Sequence, residues 1–134
     1  MKVQGEFTVK KWDEENLGSF PMDTPVAKAS VIYEVTGEIN GELSAEYLLY
    51  YSYQDRENMH NSKAAYMGYM FFIGAVNGKK GSFAVEDKGR YTEAGPVSVL
   101  SVIPDTGTDE LRGTSGIGNY GFRGGKMMIE LDLD

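Results

Sequence analysis

The sequence predicts an all-β protein: an antiparallel closed barrel of about eight strands in a simple meander. Three observations predict it. Apolar and polar residues alternate along most of the 134 residues. Asn-Gly pairs at 40–41 and 77–78 stand between alternating runs, which is the strongest short-range hairpin signal. No stretch of ten residues or more carries an apolar stripe at the 3.6-residue spacing of a helix.

The first strand is read at 2–12, where KVQGEFTVKKW alternates. A connection at 13–25, with Pro21 and Pro25, leads to a strand at 26–39 that sets Ala29, Val31, Tyr33 and Val35 against Lys28, Ser30, Glu34 and Thr36. The third strand, 42–53, runs into the polar connection SYQDRENMHNS at 52–62; either long connection has room for a helical turn. Strands at 63–76 and 81–91 flank Asn77-Gly78, and 96–103 follows. Pro104-Asp-Thr-Gly107 and Arg123-Gly-Gly125 bound the last two strands, 109–122 and 126–133. Eight strands joined by hairpins need a closed or doubled sheet to protect their edges. Their length and meander order favour the barrel.

The length is that of one domain, 1–134, large enough to bury a core without covalent staples. The absence of cysteine removes disulfides, thiolate nucleophiles and Cys-ligated metals, and suits a reducing cytoplasm. The longest apolar run, 64–76, is shorter than the roughly 20 residues of a membrane helix, so no membrane partner is expected. With a net charge of −7 and scattered basic residues, neither is nucleic acid.

One formal cofactor motif is present: GIGNYG, at 116–121, fits G-x-G-x-x-G. A dinucleotide site needs a helix after the glycines, to hold the pyrophosphate at its N-terminus. Only FRGGKMMIELDLD follows, and it alternates. The match is accidental, and no cofactor is expected. His60, the single histidine, lies in a polar loop and is read as solvated. No HExxH metal motif occurs, and Asp105 to Glu110 lacks the ligand spacing of a calcium loop. Trp12 reads as core packing or a barrel plug.

Hairpin parity gives the candidate site. A two-residue loop at 40–41 sets Val35 opposite Glu46 and Tyr33 opposite Leu48, so Ser44, Glu46, Leu48 and Tyr50 face inward. A loop at 77–78 sets Phe72 opposite Phe83, Met70 opposite Val85 and Gly68 opposite Asp87. Two carboxylates, Glu46 and Asp87, thus enter a lumen lined by Tyr33, Tyr50, Tyr66 and Met70, with space left at Gly68. A buried carboxylate is hydrogen-bonded or has a raised pKa, which suits a ligand anchor, an acid–base group or a structural tie. The same parity turns Tyr47, Leu49, Tyr51, Met67, Tyr69, Phe71 and Ile73 outward. Such a patch reads as a self-association surface for a dimer or trimer.

Four segments carry a family resemblance: GEFTVKKWDEE at 5–15, TGEINGELSAEYLLYY at 36–51, AAYMGYMFFIGAVNGKKGSFAVEDKG at 64–89 and SVIPDTGTDELRGTSGIGNY at 101–120. The chain resembles a bacterial domain-of-unknown-function family of small allene oxide cyclase-like barrels. The family usually reads SGTGEL at Thr106 to Leu111, often carries charge at Met70 and Phe71, and often has histidine at Asp87. The resemblance implies an eight-stranded antiparallel barrel of allene oxide cyclase or lipocalin-like meander type, whose relatives form oligomers and handle hydrophobic or phenolic ligands. The leading functional expectation is a barrel that binds a small hydrophobic ligand. The alternatives are a cyclase- or isomerase-type enzyme using Glu46 or Asp87, and a filled structural barrel.

Overall fold

The computed structural model describes residues 1–19, 25–55, 57–58 and 61–134. Eight strands follow one another: β1 (Lys2–Ser19), β2 (Pro25–Gly37), β3 (Ile39–Tyr53), β4 (Lys63–Val76), β5 (Lys79–Thr92), β6 (Gly95–Val102), β7 (Gly116–Arg123) and β8 (Lys126–Leu133). Each pairs antiparallel with the next, and β1 pairs with β8, so the hydrogen bonds close a ring and leave a closed barrel. Among the described residues no helix is long and apolar enough to cross a membrane.

Most of the expected strands are present, with two exceptions. β1 continues to Ser19 through residues expected to form a connection. Its upper part is an edge beside the short β8, and the charges of KKWDEEN blunt that edge. β7 begins only at Gly116. The residues before it include a 3-10 turn, Asp109–Leu111, whose Leu111 is buried, and positive φ at Asp109 (52°) and Gly113 (83°) is incompatible with a strand. GIGNYG is strand backbone, as expected, and no helix follows it.

The two Asn-Gly pairs behave differently. Asn77-Gly78 is a two-residue hairpin loop with both residues at positive φ, 48° and 81°. The register beyond it is the expected one, with Gly68 opposite Asp87 and Phe72 opposite Phe83. Asn40-Gly41 lies inside β3, facing Ala75 and Gly74 of β4. The chain reverses earlier, around Glu38, whose N–H donates to the Gln4 carbonyl and whose carbonyl accepts from Asn77. Val35 therefore pairs with Gly41 and Tyr33 with Leu43.

That shift inverts the expected faces of β3. Leu43, Ala45, Tyr47, Leu49 and Tyr51 are buried, whereas Glu46 and Leu48 are exposed and Ser44 and Tyr50 lie on the outer face. Glu46 is not interior: it accepts from Ser30 Oγ at 2.5 Å on the exposed side of the sheet. Hydrophobic burial explains the outcome, because Leu43, Ala45, Tyr47, Leu49 and Tyr51 are all apolar or aromatic, whereas the even positions include Glu42, Ser44 and Glu46. Tyr47, Leu49 and Tyr51 therefore leave the proposed outer patch. Met67, Tyr69, Phe71 and Ile73 remain in it, at least half exposed, joined by Leu48.

Gly68 also differs from expectation. It does not open space beside Asp87, since a Cβ there would overlap the Glu46 carbonyl oxygen of β3. Its role is to let β3 and β4 approach. Gly68→Ala is expected to destabilise the protein by about 1–3 kcal/mol, the usual cost of forcing a side chain into packed space. Urea denaturation measures it, and an unchanged midpoint would show that the strands can separate freely there.

Candidate functional site

The barrel is graded along its axis. Its base is apolar and filled: Phe72 and Phe83 pack with ring centroids 5.0 Å apart, and Leu111 reaches in from the 3-10 turn against Gly81. Among the described residues its other end is open. Five strands, β1 to β5, have 13 to 18 residues each, whereas β6, β7 and β8 have eight. Of the long strands, β1 and β2 rise furthest beyond the ends of β4 to β8, and they make a tall wall facing the low turns at 93–94 and 124–125. Between them lies a cavity of about 1030 Å³.

A polar belt separates base from cavity, and six consecutive strands each contribute one residue to it. They are Tyr33 (β2), Tyr47 (β3), Tyr66 (β4), Asp87 (β5), Ser98 (β6) and Tyr120 (β7), all buried. Tyr47 Oη and Tyr120 Oη donate to Asp87 Oδ2 at 2.9 and 2.8 Å. Tyr33 Oη lies 3.0 Å from Tyr47 Oη, and Tyr120 Oη lies 3.2 Å from Tyr66 Oη, which also bonds to Ser98 Oγ. Phe7 of β1 holds the belt edge-on, its ring centroid 5.2 Å from that of Tyr33 and 5.1 Å from that of Tyr120.

Burial dominates the electrostatics. It pushes the Asp87 carboxyl above the usual carboxylate range, while the hydroxyls of Ser98, Tyr120 and Tyr47 pull it back. Asp87 is 1% exposed, and its Oδ1 has no hydrogen-bond partner. Burial likewise raises the pKa of all four tyrosines, so they are neutral phenols at physiological pH.

The four tyrosines line the cavity, and Asp87 and Ser98 lie behind them. The walls are largely aromatic and aliphatic, with Phe7, Leu49, Tyr51, Ala64, Phe122 and Met127 among them. A bulge between Val9 and Lys11 shifts the register of β1 and turns Trp12, Glu14 and Asn16 toward the mouth. Trp12 is thus neither core nor plug: it is 45% exposed at the rim, and its Nε1 donates to Glu14 Oε1 at 3.2 Å. Tyr51 Oη donates to the other oxygen of Glu14 at 2.7 Å.

Of the residues expected in the site, the structure brings together Tyr33, Tyr66 and Asp87. Met70 is buried in the apolar core and does not line the cavity. Glu46 and Tyr50 sit on the outer face of β3. Tyr47 and Tyr120, the two donors to Asp87, were not expected there; Tyr47 was set on the wrong face by the 40–41 turn, and Tyr120 lies within GIGNYG. His60 lies outside the described residues. Among the described residues no group of three or more His, Cys, Asp or Glu side chains is placed to hold a metal ion.

An all-β barrel with an enclosed tyrosine–aspartate belt under an open cavity defines the class. The chain belongs to the family described as "Protein of unknown function (DUF3224)", which it matches over residues 3–133. It is similar in fold to the crystal structure of a protein of unknown function from that family from Shewanella oneidensis MR-1, with a TM-score of 0.80 and 23% identity, covering 100% of this chain and 96% of that one. No curated protein matches the chain significantly.

The raised Asp87 carboxyl predicts a pH signature. A folded-state pKa above the unfolded one means that the native protein binds the proton more tightly. The group's stabilising contribution is complete below the unfolded value, about 3.9, and is lost as pH rises through the folded value. Wild-type stability should therefore gain on that of Asp87→Asn as pH is lowered from 7 toward 4. Parallel curves in chemical denaturation would show that Asp87 is not strained by burial.

Proposed function

We propose that the barrel binds one small molecule with an apolar body in the cavity at its open end, the tyrosine belt forming the polar floor. The observation that carries this reading is the cavity itself. Its volume reaches the upper end of the range of small-molecule sites, and aromatic walls surround a few convergent polar groups. A filled structural barrel would need no such space. Direct acid–base catalysis is less well supported, because Asp87 stands behind the phenols and does not line the cavity, while Glu46 is outside the barrel. The resemblance to allene oxide cyclase-like barrels, whose relatives handle hydrophobic or phenolic ligands, supports the same reading.

A thermal-shift screen of lipophilic phenols, alcohols and carboxylates tests it. A ligand at about one hundred times its Kd stabilises by roughly 2.7 kcal/mol. Ala64→Trp, at a buried position on the cavity wall, should take up part of the space and weaken the shift while far-ultraviolet dichroism stays that of a β protein. No shift with any compound, or the same shift in the narrowed variant for every compound, would sink the proposal.

A second copy of the chain is the partner we propose for the outer face of β4. Lys88 lies in the Met67 row and Glu86 in the Tyr69 row. A two-fold axis crossing the strands between those rows sets Met67 against Tyr69 and Lys88 against Glu86 of the other copy. Such a pairing covers apolar surface and opposes unlike charges. Light scattering should find a dimer that Tyr69→Glu dissociates. A wild-type monomer at micromolar concentration would remove the idea.

A further inference from the structure

We propose that the ligand of this cavity is a hydrogen-bond donor: an uncharged or cationic molecule with an apolar body and a hydroxyl or amine tip, rather than a carboxylate or an ether. The proposal rests on the binding reading above and concerns the chemistry of its floor.

Proton bookkeeping around Asp87 carries it. A phenol has one proton to donate, and an ionised carboxylate only accepts. Tyr47 and Tyr120 both spend their protons on Oδ2. Tyr33, 3.0 Å from Tyr47 Oη, can complete that contact only by donating its own proton to it. Tyr66 Oη accepts at most a shared proton from Tyr120 at 3.2 Å, and in its contact with Ser98 Oγ either hydroxyl can donate. The protons of Tyr33, Tyr47 and Tyr120 are thus drawn away from the cavity, and what these three tyrosines offer a ligand is lone pairs. Tyr33 is the clearest case, since its oxygen accepts no hydrogen bond in the belt.

The charges above the floor act in the same sense. Among the described residues, the charged side chains lining the cavity are Glu6, Glu14, Glu93 and Lys126, and Lys126 is already paired with Glu6 at 3.7 Å. Glu14 accepts from Tyr51 and Trp12 and remains an acceptor at the rim. An anion entering the cup meets acidic groups at its mouth and a floor where three of the four phenol protons are already engaged, so both ends of the site select against it.

Calorimetric titration at pH 8 with 4-butylphenol, 4-butylanisole, 4-butylbenzoate and butylbenzene separates the possibilities. The phenol should bind about tenfold more tightly than the ether, the scale of one net hydrogen bond, and the benzoate should bind most weakly. Tyr33→Phe should close the gap between phenol and ether while butylbenzene still binds. Asp87→Asn should narrow it too, because its amide donates to one phenol and releases that phenol's proton toward the cavity. If either variant misfolds, the other carries the test. An ether or benzoate that binds wild type as well as the phenol would overturn the donor inference and leave the binding site standing. Binding of none of the four, butylbenzene included, would overturn the cavity reading and this inference with it.

Discussion

Everything above the apolar base is organised by the pair of hydrogen bonds from Tyr47 and Tyr120 to one oxygen of Asp87. Taking a carboxylate out of water costs several kcal/mol unless donors replace the lost solvation. Here the donors come from β3 and β7, strands that are not neighbours in the sheet. The carboxylate is therefore held by contacts across the lumen as well as by the ladder beside it. Such a tie fixes the relative position of opposite walls in a way that backbone hydrogen bonds between adjacent strands do not. Tyr33, Tyr66 and Ser98 extend it to six strands, and Phe7 adds a seventh by packing.

The belt also explains why a barrel of this size is not simply filled. Below it, the side chains are branched aliphatics and phenylalanines that interdigitate. Above it, the odd positions of β2 and β3 still point inward, but the short β6, β7 and β8 supply little to meet them from the far side. Hydrophobic packing cannot close a gap whose opposing wall is missing. The phenols end the dry core with groups that tolerate a wet neighbour, because each has an apolar body and a polar tip.

Much of this was legible in the sequence. Alternation located the strands, and Asn77-Gly78 placed Tyr66, Met70 and Asp87 on the inner face, because only a two-residue loop suits that dipeptide at positive φ. The same dipeptide misled at 40–41, where Gly41 and Gly74 face each other between β3 and β4 and the chain had already turned at Glu38. The alternation of β3 contained the correction, since burying Leu43, Ala45, Tyr47, Leu49 and Tyr51 outweighs burying Ser44, Glu46, Leu48 and Tyr50. Tyr120 was harder to find. Its parity depends on where β7 begins, and the buried Leu111 and the turn around it delay that start to Gly116. The bulge of β1 near Lys10, which brings Trp12 and Glu14 to the rim, has no signal in the alternation of its flanks.

The unequal strand lengths have a bearing on motion. Residues of β1 beyond Glu6 have no register partner in β8, so the upper wall is bonded on one side only along that margin. Hydrogen-bonded units open separately when few contacts join them, and this margin meets that condition while the base and belt do not. Amide protons of upper β1 would then exchange through local fraying, and those of lower β2 to β5 only through global unfolding. A margin built this way can peel back on the tall side while the carboxylate tie and the dry base stay undisturbed.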